Sequence, residues 1–219
     1  MAPDRSLTTR AAVTVAVLAA AYVAAQMLAD VASLKLTEFF GYTVDAGTLI
    51  YPITFTLRDL VHKSAGAAVA RALVFTAAAI NLFMAGFFWL VGELPAIAGV
   101  GPQTEQFGDV LSPVWRIVWA SIVAEVIAEL IDTEVYRMWV RRFGERVQWG
   151  RVLGSNAVAI PVDSVVFVLI AFAGVVTGAE LWEIITTNIL WKGAVTVVSI
   201  PLIYAVRPAR VVDLPQAPS

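Results

Sequence analysis

The chain has 219 residues, 59% of them hydrophobic and only 15% charged, with a formal net charge of −2 and a mean hydropathy of +0.80. Soluble domains run nearer half apolar and a quarter charged, so this composition belongs to an integral membrane protein with room for about six spans and no sizeable soluble domain. The absence of cysteine excludes disulfides, thiolate catalysis, iron–sulfur clusters and thiolate zinc sites, and the single histidine, His62, excludes a multi-histidine metal or haem site.

Residues 1–10 put basic side chains ahead of an apolar run, as a signal peptide does. The run 11–29 is long enough to cross a bilayer, however, and reads as an uncleaved first helix. Gln26 and Asp30, four apart near its far end, share a face. A semi-polar loop over 31–46 carries Lys35, Glu38 and Asp45. The second helix, 47–61, is short and holds Pro52, Arg58 and Asp59. Pro52 weakens it locally, so a broken or incompletely spanning helix is expected. A third helix covers 71–91 with Asn81 at its middle, and a Gly- and Pro-rich loop covers 92–112. The fourth helix, 113–131, leads into a basic loop with Arg137, Arg141, Arg142, Arg146 and Arg151. The fifth helix is 152–174, and a short acidic connection with Glu180 and Glu183 precedes the sixth, 184–206. The tail 207–219 is expected to be disordered.

Arg5, Arg10, Lys63, Arg71, the arginine-rich loop, Arg207 and Arg210 all fall on one face of a six-span arrangement, against Lys35 on the other. By the positive-inside rule both termini are then cytoplasmic, and removing the second helix would scramble the pattern. The expected architecture is therefore an all-α integral membrane protein, a compact six-transmembrane-helix bundle over 11–206. Trp89, Trp115, Trp149 and Trp182 fall near span ends, as an interfacial belt requires, while Trp119 and Trp191 lie inside spans.

The polar residues at bilayer depth carry the functional argument. Asp163 sits at the middle of the fifth helix, two residues after Pro161. A carboxylate there costs a few kcal/mol or more unless it faces protein or a water-filled cavity. Lys192 and Asn188 lie four apart in the sixth helix. At about 1.5 Å per residue, Lys192 is roughly 12 Å from the outer end and Asp163 roughly 16 Å from the inner end, which in a core of about 30 Å puts them at similar depth. An Asp163–Lys192 pair follows, either as a lock between helices or as part of a pocket; a buried pair is a poor stabiliser, which favours the pocket. Glu125, Glu129 and Asp132 make one stripe on the fourth helix at i, i+4 and i+7. Glu125 falls in the same slab as Asp163, whereas Glu129 and Asp132 reach the cytoplasmic interface, solvated or paired with the arginine-rich loop. Arg116, near the outer end of that helix, is expected to snorkel to the interface, and Arg58 to reach the cytoplasmic one.

Taken together these segments resemble the queuosine-precursor transporter family, six-helix vitamin-uptake-like membrane proteins. YPITFTLRDL is similar to the family's Phe/Tyr-Pro-Leu-Thr-Phe followed by an Asp, here Asp59. ELIDTEVYRMWVRR resembles its Gln/Glu-x-x-Asp segment, with Glu129 and Asp132 in the pattern. RVLGSNAVAIPVDSVVFVLIAF resembles its Ser-Asn…Asp-Ser/Thr-x-x-Phe signature through Ser155, Asn156, Asp163, Ser164 and Phe167. NILWKGAVTVVSIPLIYAV is similar to its last helix through Lys192, Pro201 and Tyr204. The chain departs from the family at VHKSAGAAVAR, where Glu-x-Tyr-Gly-Lys is common, and at Glu129, where many members carry Gln. The resemblance covers about 11–206. It implies import of 7-cyano-7-deazaguanine or 7-aminomethyl-7-deazaguanine, and kinship with the substrate-binding subunits of vitamin importers. A guanine-like edge presents two adjacent N–H donors that a carboxylate such as Asp163 or Glu125 can accept, while Lys192 and Asn188 suit a carbonyl or nitrile.

Asp163, Lys192, Glu125, Asn188, Asn156, Asp59, Glu129 and Asp132 are thus the candidate substrate-binding residues, in an inner membrane, with no cofactor, metal or nucleic acid called for. The alternative is a vitamin-type binding subunit that works with a separate ATPase, since no GxxxxGK[ST] motif occurs in the chain. An intramembrane enzyme lacks a histidine dyad or metal cluster at mid-depth. A scaffold would reduce Asp163–Lys192 to a lock.

Overall fold

The computed structural model describes the backbone of residues 5–143 and 148–205; the side chains of 5–11, 63, 67, 129, 132, 133, 136, 137, 140, 143, 148–153, 155 and 199–205 lie outside the described residues. Six long helices dominate: α1 (Arg5–Ala32), α2 (Tyr51–Ala65), α3 (Ala67–Gly92), α6 (Val114–Phe143), α7 (Gln148–Phe172) and α8 (Gly178–Ala205). Two short helices, α4 (Pro102–Glu105) and α5 (Phe107–Leu111), lie between α3 and α6. Three stretches, Ala12–Ala32, Ala68–Gly92 and Phe107–Ala128, are long and apolar enough to cross a membrane, and Asn156–Phe172 is a shorter apolar helix. The protein is an all-α membrane protein apart from one small hairpin among the described residues.

The helices pack through small residues. Ala25, Ala29, Ala77, Ala85, Ala120, Ala124 and Ala171 are buried, whereas Phe75, Phe83, Leu190 and Val198 are exposed on the outside. That inversion suits lipid, where large apolar groups gain little by hiding and close backbone approach supplies the packing energy. One core cluster joins α6, α7 and α8 around Ile117, Ala120, Phe167, Val168 and Ile184. Another joins α1, α2 and α3 around Tyr22, Val61, Leu73 and Ala77. Met84, Ala85, Val114 and Val118 connect α3 to α6.

Several boundaries differ from the sequence reading, each for a physical reason. The segment expected as a loop over 31–46 forms an antiparallel hairpin, β1 (Leu36–Phe39) and β2 (Tyr42–Asp45), in register Leu36↔Asp45 to Phe39↔Tyr42. Its two turn residues, Phe40 and Gly41, both have positive φ, 53° and 81°, as the tightest hairpin turns demand. The second helix starts at Tyr51, not 47, because a 3-10 turn (Ala46–Leu49) capped by Asp45 comes first. Pro52 then occupies the first turn of α2, where its missing N–H costs nothing. No loop separates the second and third helices. Gly66, at φ 88° and ψ 169°, alone joins α2 to α3. The fourth helix runs on to Phe143 rather than stopping near 131, since its charged end continues the helix beyond the apolar span.

Candidate functional site

The polar residues converge where α2, α7 and α8 meet the base of the hairpin. Asp163 and Lys192 are 2% and 3% exposed, and Lys192 Nζ donates to Asp163 Oδ2 at 2.6 Å. The same ammonium lies 4.7 Å from the Tyr51 ring centroid and 5.7 Å from that of Phe167, so two aromatic faces share its charge. Asp163 Oδ1, in contrast, has no hydrogen-bond partner among the described residues. The depth-matched pair expected from the sequence is present, and Tyr51 from α2 completes its surroundings.

Asp45 closes one side. Its Oδ1 accepts from Ser33 Oγ (2.8 Å) and the Thr48 amide (3.0 Å); its Oδ2 accepts from Thr48 Oγ1 (2.6 Å) and Asn188 Nδ2 (3.2 Å). The Thr48 hydroxyl also touches Asn188 Oδ1. One carboxylate thereby ties the end of α1, the 3-10 turn and α8 together. Gly47 makes this possible: a Cβ there would run into Ser33 Oγ and the Ala29 carbonyl. Thr43 donates from its amide and hydroxyl to Glu183 (3.3 and 2.5 Å), and Phe39 meets Trp191 edge-on at 5.9 Å, so the hairpin lies along α8.

A second polar group links α1, α3 and α6. Tyr22 OH donates to Glu125 Oε1 (2.8 Å), and Gln26 Nε2 donates to Tyr22 OH (2.8 Å) and Glu125 Oε2 (3.4 Å). Asn81 Nδ2 donates to Gln26 Oε1 at 3.2 Å. Asp30, one turn beyond Gln26, accepts from Ser121 Oγ at 2.8 Å through Oδ1, while its Oδ2 has no partner among the described residues.

Two cavities flank this arrangement. The first is walled by Asp30, Asp45, Thr48, Tyr51, Asp163 and Lys192, among others, and the second by Phe55, Arg58, Glu125, Asn156 and Asp163 with apolar neighbours. Asp163 belongs to both. Each has room for about one water-sized group.

The sequence-derived candidates divide accordingly. Asp163, Lys192, Glu125 and Asn156 line the cavities. Asn188 is buried but engages Asp45 and Thr48. Asp59 is half-buried on α2 and lines neither cavity. The side chains of Glu129 and Asp132 lie outside the described residues, as does that of Ser155. Arg116, near the start of α6, donates from its Nε and a terminal nitrogen to the carbonyls of Ile170 (2.7 Å) and Ala173 (2.6 Å), satisfying the end of α7. Arg58, expected at the interface, lines the second cavity with its guanidinium 5.7 Å from the Phe55 ring. Sequence reasoning missed Asp45, Tyr51 and Ser121 as wall residues. The pairing of Gln26 with Asp30 on one face was visible, but nothing in the spacing pointed to Ser121, ninety-one residues away.

A family model described as "Putative vitamin uptake transporter" matches residues 45–206. The chain is also similar to a protein of Bacillus subtilis (strain 168) described as "Probable queuosine precursor transporter", 28% identical over 189 residues, covering 84% of this chain and 80% of that protein. No solved structure matches.

Proposed function

Because the chain belongs to the "Putative vitamin uptake transporter" family, we propose that it carries a planar 7-deazaguanine, the 7-cyano or 7-aminomethyl form, across the inner membrane through the site at Asp163 and Lys192. The observation that carries this reading is the position of Asp163: buried, shared by two cavities, with one oxygen held by Lys192 and the other without a partner among the described residues. Buried carboxylates whose acceptors are left over are costly, and a donor-rich guest relieves that cost.

The guest's two adjacent N–H donors suit the Asp163 carboxylate, and its carbonyl oxygen suits Lys192. Tyr51 and Phe167, which flank the ammonium, offer ring faces for stacking. A bicyclic ring needs more room than one water-sized group, so binding requires the walls to part. The Asp163–Lys192 contact is the natural place: opening it trades an internal ion pair for contacts to the guest, and connects the first cavity to the second. Alternating access would then open the merged space to one face of the membrane at a time. The proposed topology has six spans, α1, α2, α3, α6, α7 and α8, with both ends of the chain on the cytoplasmic face.

The reading is tested by expressing the chain alone in cells unable to make the precursor and measuring queuosine in their tRNA after feeding either deazaguanine. Restoration supports it. Restoration only when ATPase subunits are added converts the chain into a binding subunit. No restoration under either condition, with the protein inserted in the membrane, removes the deazaguanine assignment.

A further inference from the structure

Among the described residues, three carboxylates, Asp30, Asp45 and Asp163, line the first cavity, against a single cation, Lys192. Their hydrogen bonds show which of them has capacity left. Asp45 accepts four hydrogen bonds and is saturated. Lys192 is committed to Asp163 Oδ2. Two oxygens remain, Asp163 Oδ1 and Asp30 Oδ2, each on a side chain 2% exposed and each without a partner among the described residues.

Asp30 also stands in the last turn of α1, which carries no basic residue. The carboxyl end of a helix bears roughly half a negative charge, so the helix adds to the negative potential there instead of offsetting it. A wall of this kind repels a further acceptor and attracts a cation. The cavity's size, about one water-sized group, suits an ammonium.

We infer that this cavity selects a guest bearing a primary ammonium, with Asp30 Oδ2 as its acceptor, so that the 7-aminomethyl compound is preferred over its neutral 7-cyano and 7-hydroxymethyl counterparts. The inference rests on the transport reading above and goes beyond it by naming the charge of the substrate and a residue that reads it. Asp163 then accepts the N–H edge of the ring while Asp30 accepts the substituent. The alkylammonium is charged at neutral pH, since amines of this type titrate near 10. A nitrile presents only a lone pair, which meets two acceptor oxygens and gains no hydrogen bond from them.

The test is equilibrium binding of the three 7-deazaguanines, aminomethyl, hydroxymethyl and cyano, to the full-length chain in lipid nanodiscs at pH 7. The wild-type protein is expected to bind the aminomethyl compound at least about tenfold more tightly than the hydroxymethyl one, because a charge-assisted hydrogen bond is roughly twice as strong as a neutral one. Asp30→Asn should erase that ratio, and Asp30→Glu, which keeps a carboxylate at the position, should retain it. Equal or tighter binding of the hydroxymethyl or cyano compound by the wild type overturns the charge selection while leaving the transporter reading standing. Binding of none of the three overturns both.

Discussion

Asp45 and Asp163 are the same residue type at almost the same burial, 1% and 2% exposed, and both wall the first cavity. Their surroundings differ completely. Asp45 receives four hydrogen bonds from Ser33, Thr48 and Asn188, all from groups fixed in the scaffold. Among the described residues, Asp163 receives one, from a lysine on a flexible stem, and keeps an oxygen without a partner. A saturated carboxylate has nothing to gain from a ligand and serves as a knot in the fold. An unsaturated one gains by meeting a donor, and can change partners at low cost. In the proposed reading, the contrast gives stability to the first and substrate contact to the second.

Removing the knot has the largest expected effect. Asp45→Ala strips the partners of Thr48 and Asn188 at once and should cost about 4 kcal/mol, given roughly 1.5–3 kcal/mol for each hydrogen bond to a charged group and imperfect additivity. Thermal unfolding in detergent, monitored with the hairpin's protease sensitivity, checks this. Next comes Asp163→Asn/Lys192→Met, which should lower deazaguanine uptake by about 100-fold, the equivalent of about 2.7 kcal/mol, while membrane insertion and unfolding temperature change far less than in Asp45→Ala, because no charge is left buried alone. If the two variants behave alike in both assays, the division of labour between the two aspartates collapses.

Gly47→Ala sharpens the same contrast from the backbone side. The added methyl meets the Ala29 carbonyl and Ser33 Oγ, and should destabilise by about 2 kcal/mol, the usual range for overpacking. Gly47 also walls the first cavity, but it carries none of the charges there, so the deazaguanine affinity of the folded fraction should fall far less than in Asp163→Asn/Lys192→Met. Glu183→Ala is the mildest. It removes the acceptor of the Thr43 amide and hydroxyl at a half-buried edge, and about 1 kcal/mol is expected, read as faster amide exchange in β2 alone.

Hydropathy and periodicity located the long helices to within a few residues at most of their ends, because a span must be apolar over a fixed length. The pairing of Asp163 with Lys192 was legible for a similar reason: helical rise converts sequence position to depth, and two opposite charges at one depth are drawn together. Asp45 was not legible. It sits in a segment without helical period, and its partner Asn188 is 143 residues away. The hairpin itself was hidden because its turn is Phe-Gly, where Asn-Gly or Asp-Gly would have announced it. The partners of Arg116 were not legible either, because the snorkelling rule considers only the side chain's own helix, whereas its guanidinium finds the open carbonyls at the end of α7. Arg58 lines a cavity for the corresponding reason: α2 starts later than its hydropathy suggested, and its polar residues sit deeper in the bundle.

The central claim is that Asp163 and Lys192 bind and pass a substrate instead of merely locking α7 to α8. Deazaguanine uptake by Asp163→Asn/Lys192→Met, normalised to protein inserted in the membrane, separates these roles most directly, because the double change removes both charges and leaves neither one buried alone. The account predicts a stable, inserted protein with uptake at background. Uptake at the wild-type rate would contradict it and leave the pair as a lock.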